Sequence, residues 1–147
     1  MIERIIYDSK EYAIVIRADH KEEGIDFLTD PSYSQQLAYM HHKDDKIIDA
    51  HFHNKVKRNV FMTQEVLLIR KGVLRVDFYN DSNEYIESIM LREGDIILLI
   101  AGGHGFKVIK EVEMVEVKQG PYLGDEDKTR FKGISDQEVV LRKNQYV

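Results

Sequence analysis

The chain has 147 residues and no cysteine, so disulfide staples, thiolate metal sites and cysteine nucleophiles are all excluded. Its longest apolar run, Ile96–Ala101, is far too short to span a bilayer. The opening Met1-Ile2-Glu3-Arg4 lacks the basic and then long apolar pattern of a secretory signal, so a cytoplasmic location with no membrane partner is expected. There is no excess of positive charge either. A net charge of −5 gives no electrostatic argument for nucleic acid, which wants a basic face. Fixed-period repeats, low-complexity tracts and linkers are also missing. One domain over residues 1–147 is expected, with its core at about 34–119. A chain of this size can bury roughly two-thirds of its unfolded surface. Its 43% hydrophobic and 32% charged residues are those of an ordinary globular protein.

What is present is strand patterning. Glu11–Ala18 holds a β-branched and aromatic run, and Ile25–Leu28 reads as a short strand closed by Asp30-Pro31. Ser34–His42 alternates, with Leu37, Tyr39 and His41 on one face, and Ile47-Ile48 leads on towards His51. Val60–Arg70 is a long strand, turned at Lys71-Gly72 into Val73–Tyr79. Asn80-Asp81-Ser82-Asn83 is a turn, because Asn and Asp side chains bond their own backbone, and Glu84–Leu91 returns as the hairpin partner. Arg92-Glu93-Gly94-Asp95 turns into the buried strand Ile96–Ile100, followed by Phe106–Lys110 and Val112–Lys118. Short strands at this spacing predict an all-β antiparallel barrel or jelly roll. The tail from Gly120 is loop-rich. Ser135–Arg142 fits either a short helix capped by Ser135 with Glu138 at its third position, or a strand.

Within this pattern lie three histidines and a carboxylate, the ligand types a first-row divalent ion prefers. His51 and His53, two apart on a strand, would face the same way with Phe52 opposite. Glu65 and His104 each sit in a strongly apolar run. These residues resemble the two motifs of the cupin superfamily. The first motif is matched by His51-Phe52-His53, Glu65 and, after six residues, Gly72; the second by Gly94-Asp95 through Gly102-Gly103-His104. Eleven residues separate His53 from Glu65, a longer gap than the family's. The second motif also lacks the family's common proline. The resemblance implies a cupin-like jelly roll (a double-stranded β-helix) binding one divalent ion, Zn²⁺, Mn²⁺, Fe²⁺ or Ni²⁺, through His51, His53, Glu65 and His104.

A second resemblance lies in the tail. Tyr122, Asp127 and Arg130 resemble the Tyr…Asp-x-x-Arg ending of cupin-fold nucleotide-sugar ketoisomerases, whose His-x-His shuttles protons without a metal. The whole chain resembles small single-domain cupins of surface-polysaccharide biosynthesis. Together these imply an isomerase or epimerase acting on a sugar or nucleotide-sugar. The alternatives are a metal-free ketoisomerase using His51 or His53, an iron dioxygenase, and a non-catalytic sugar-binding cupin. The enzyme readings need a proton-transfer group beyond the ligands. His41, Tyr39, Glu116 and Lys118 are the candidates, although Glu116 and Lys118 on one strand face also fit an exposed ion pair. His20 and His42, beside charged residues, are expected to be solvated. Gly102-Gly103 does not read as a phosphate loop, since no helix signal follows it. Finally, Met62, Val66 and Leu68 would form an apolar strip on the outer face of Val60–Arg70, which predicts a homodimer unless the chain's own N-terminal strand covers it.

Overall fold

A computed structural model describes residues 1–143. Ile2–Tyr7 (β1) and Lys10–Ile16 (β2) form a hairpin whose two loop residues, Asp8 and Ser9, both have positive φ, the twist that tight hairpins favour. The other strands are Gly24–Phe27 (β3), Ala38–His41 (β4), Glu65–Tyr79 (β5), Tyr85–Arg92 (β6), Ile96–Leu99 (β7) and Gly103–Lys118 (β8). The main sheet is antiparallel in the order β1-β2-β7-β5-β6, with β8 along the other side of β5. β3 and β4 make a separate pair. The fold is all-β, a curled antiparallel half-barrel. Among the described residues no helix is long and apolar enough to cross a membrane.

Period two divides each central strand between two apolar layers. Ala13 and Val15 of β2, Leu67 and Ile69 of β5, and Ile97 and Leu99 of β7 face the concave interior with Leu74, Val76, Phe78, Ile89 and Leu91. Ile14, Ile16 and Leu98 face outward, where Leu28, Tyr33, Leu37 and Tyr39 cover them. Burying an Ile or Leu is worth about 1.5–3 kcal/mol, so strands buried on both faces hold the sheet together. The stretch around Leu28–Tyr39 is pinned where Arg4 donates to the Leu28 carbonyl (2.6 Å), the Tyr33 hydroxyl donates to Glu11 (3.0 Å) and the Gln35 amide donates to the Gln64 side chain (3.1 Å).

Several expectations need correction. The sheet takes in residues 2–16, so the core begins well before residue 34. The strand expected from Val60 starts at Glu65. Lys71-Gly72 is an irregularity inside one continuous 15-residue strand, and β8 is likewise one strand of 16 residues. No strand or helix lies between His41 and Glu65, so His51 and His53 are not on a strand. Of Ser135–Arg142, Asp136–Glu138 is a 3₁₀ turn and Leu141 makes an isolated parallel bridge to Ser88 of β6, while Ser135 donates to the Glu138 side chain (2.5 Å) rather than capping a backbone amide. Val66 packs against the outer cluster under the chain's own Leu28–Tyr39 stretch, whereas Met62 is exposed.

The bend in β5 depends on Gly72. Its φ is +88°, and a Cβ there would lie 1.9 Å from the Glu111 carbonyl oxygen. Both the left-handed backbone, costing about 1–2 kcal/mol for an L side chain, and the backbone collision oppose substitution. Gly72→Ala should lower the unfolding free energy by more than that about 1–2 kcal/mol. Urea unfolding followed by circular dichroism measures it, and an unchanged midpoint would rule out this account of the bend.

Candidate functional site

β5 and β8 are hydrogen-bonded along their whole length, with Glu65 opposite Lys118 at one end and Phe78 opposite His104 at the other. In a flat ladder Glu65 and His104 would lie far apart. The register shifts between Ile69 and Leu74 bend the pair instead, so that both ends of its concave face approach each other. The His104 Nε2 comes within 3.2 Å of Glu65 Oε2. Gly102 positions the start of β8: with φ +70°, a Cβ there would meet the Tyr12 ring at 2.3 Å. Phe106, two residues on and on the same face, lies with its ring tilted against that of His104, centroids 5.2 Å apart.

Glu65 is buried, and His104 keeps part of its ring exposed. The hydrogen bond from His104 holds the Glu65 carboxylate below its ordinary range. Burial pushes the other way, and the positive charges of Lys118 and Lys128 help keep the carboxylate ionised. Lys118 lies 3.5 Å from Asp127 and 5.6 Å above the Tyr122 ring. Asp127 ends the 3₁₀ turn Gly124–Asp127 and accepts a hydrogen bond from Thr63 (3.4 Å). The tail thus places two of its three noted residues, Tyr122 and Asp127, beside Lys118. Arg130 is exposed and 3.8 Å from Asp125. The ion pair of Lys118 is therefore with Asp127, not with Glu116.

The other candidate residues lie elsewhere. His51 and His53 are exposed neighbours, rings 5.3 Å apart and edge to face, with His51 Nδ1 2.9 Å from the Asp49 carbonyl oxygen. Among the described residues, no three His, Asp or Glu side chains are grouped to hold a metal ion. The structure joins Glu65 to His104, and His51 to His53, as two pairs. Tyr39 packs with the outer layer, its ring edge-on to His20 at 4.6 Å. His41 is exposed in a shallow hollow with Glu23, His42 and Lys43. His20 and His42 are half-buried, each with Nε2 out of solvent and without a hydrogen-bond partner, which corrects the expectation that they are solvated. The alternation of β8 places Glu116 on the concave side opposite Leu67, where it is exposed. Sequence reasoning did not anticipate the stacking of Phe106 on His104, although the two-residue spacing carried that signal.

Glu65 is held low in the folded chain, so it contributes stability that is fully present above its ordinary value of about 4.3. That contribution is lost as pH falls through the lower folded value. Glu65→Gln cannot titrate there, so the difference in urea midpoint between wild type and variant should narrow as pH drops from 6 to 3. A difference that stays constant over that range would contradict the assigned hydrogen bond. Compared with known proteins, the chain matches no family model, no curated protein and no solved structure, and the site is read from its own geometry.

Proposed function

We propose that the protein is a cupin-like jelly roll whose concave face moves a proton on a sugar or nucleotide-sugar, as an isomerase or epimerase. The observation that carries this reading is the hydrogen bond between His104 and Glu65, 3.2 Å long and set at the open side of an apolar concave face. A carboxylate that accepts from one imidazole nitrogen fixes the tautomer and leaves the other nitrogen free to take a proton. With Nε2–H donating to Glu65, Nδ1 is the base. It removes the proton on the carbon beside a carbonyl, and the ionised Glu65 stabilises the imidazolium that forms. Lys118, the register partner of Glu65, supplies positive charge for the enediolate oxygen. His104 then returns the proton to the former carbonyl carbon while the adjacent hydroxyl proton passes to the former carbonyl oxygen, so the carbonyl moves by one carbon and the isomerisation is complete.

One divalent ion, Zn²⁺, Mn²⁺, Fe²⁺ or Ni²⁺, is the proposed alternative to that hydrogen bond: held between Glu65 and His104 Nε2 it would replace the shared proton, and His104 would then be a ligand with another group as the base. Two ligands of a tetrahedral ion at about 2.1 Å lie about 3.4 Å apart, close to the spacing of Glu65 and His104. That half of the ligand set fits. His51 and His53, the other half, stand in the exposed 43–63 segment and do not join it here. Bound there, an ion would add positive charge to stabilise the enediolate. The metal-free ketoisomerase is the second reading, favoured by the placement of Tyr122 and Asp127 around Lys118.

Incubation with nucleotide-sugars in D₂O, read by deuterium entering the carbon next to the carbonyl, tests the proposal. Loss of a general base costs about 10²–10⁴-fold, so His104→Ala should slow exchange by that factor. Exchange that is also abolished by chelation supports the ion, and exchange that survives chelation supports the metal-free reading. Exchange unaffected by His104→Ala would reject His104 as the base. Sugar binding without exchange would make the protein a binding module.

A further inference from the structure

Two unpaired features of this chain complement each other. β8 is 16 residues long and bonds to β5 along one edge, and among the described residues no strand occupies its other edge. A long free edge offers a row of backbone donors and acceptors to any strand that reaches it. β8 also leaves Phe106, Val108, Ile109, Met114, Val115 and Val117 at 40–54% exposure. The 42–64 segment has the reverse problem. It has no regular structure, yet it exposes Ile47, Ile48, Phe52, Val56, Phe61 and Met62 at 47–92%. Structureless segments this long are uncommon inside compact domains unless they have a function or a partner.

The segment reads as a strand. From Ile48 to Lys57, the apolar Ile48, Ala50, Phe52 and Val56 alternate with Asp49, His51, His53, Lys55 and Lys57, and only Asn54 interrupts the apolar face. Its charge suits the second half of β8: Lys55 and Lys57 are basic, and although β8 also carries Lys107, Lys110 and Lys118, its exposed Glu111, Glu113 and Glu116 lie together between them. We propose that residues 48–57 of one copy pair with the free edge of β8 in a second copy, and that the exchange is reciprocal. A two-fold dimer of this kind satisfies both unpaired edges at once, because each copy holds one donor segment and one acceptor edge. In the single chain every residue from 43 to 63 is exposed, so the segment does not cover its own β8. The exchange would set His51 and His53 of one copy along the strand that carries His104 in the other. The pairing rests on backbone edges, apolar faces and charge, and it stands or falls separately from the proton chemistry.

The absence of cysteine makes a clean test possible. Asn54→Cys and Lys110→Cys alter exposed positions at the middle of the segment and of β8. The two single variants are mixed, unfolded and refolded together, and treated with a short bismaleimide. The expected result is twice the chain mass by light scattering and a covalent product joining one chain of each variant. A monomeric mass at micromolar concentration overturns the proposal. So does a dimer in which the chains cannot be joined through these two positions. A doubly substituted chain that links only to itself overturns it as well, because the segment then closes on its own β8.

Discussion

The bent β5–β8 ladder is the constraint on which the rest of the structure depends. Because β5 is long and turns about Gly72, its first half pairs with β7 and its second half with β6, while β8 follows it throughout. The two halves of the half-barrel are therefore joined covalently through one strand. The same bend carries Glu65 and His104, opposite ends of the ladder, to hydrogen-bond distance. A carboxylate there would be costly to bury alone; the imidazole and the nearby positive charges of Lys118 and Lys128 keep it ionised.

Two buried polar clusters hold the remaining pieces against that ladder. Arg17, buried just after β2, donates to Glu3 (2.6 Å), to the Met90 carbonyl (2.8 Å) and to Asp95 (2.8 Å), which ties β1, the end of β2, β6 and the turn before β7 together. Asp95 also accepts from the backbone amides of Ala18 and Arg92, each at 2.9 Å. In this fold Gly94-Asp95 thus acts as a structural junction. On the other side, Arg75 forks onto Asp77 and reaches Asp136, which also pairs with Lys107. Tyr79 accepts from the Ile134 amide and packs edge to face on Phe131, so the tail is fastened across the outer face of β5 and β6. Of these pairs, only Arg17–Asp95 and Arg75–Asp77 are removed from water, and breaking a buried pair of that kind costs about 3–5 kcal/mol.

Much of the fold was legible because a strand buried on two faces leaves a near-continuous apolar run. Glu11–Ala18 and Ile96–Ile100 announce β2 and β7 in this way. The turn at Asn80–Asn83 is legible for a different reason: the Asn80 side chain accepts from the amides of Ser82 and Glu84, as the local chemistry of Asn predicts. What was hidden was partnership. Gly72 signals a break in regular strand geometry, but sequence alone does not say whether the chain turns there or bends within one strand. Alternation around His51 and His53 marks a strand-competent segment and cannot say what edge it meets. Glu65 and His104 were legible as reactive groups in apolar surroundings, and their meeting depends on the three-dimensional bend. Tyr39 and His41 share a face of β4 as their spacing requires, yet β4 sits on the outer side of the sheet, away from the Glu65–His104 pair.

The central claim is that the two ends of the β5–β8 ladder meet through Glu65 and His104. The most direct measurement is the titration of the Glu65 side-chain carboxyl by ¹³C NMR, in the wild-type chain and in His104→Ala. The account predicts a midpoint below the ordinary glutamate range in the wild type, moving up when the imidazole is removed. An ordinary midpoint, unchanged by His104→Ala, would contradict it.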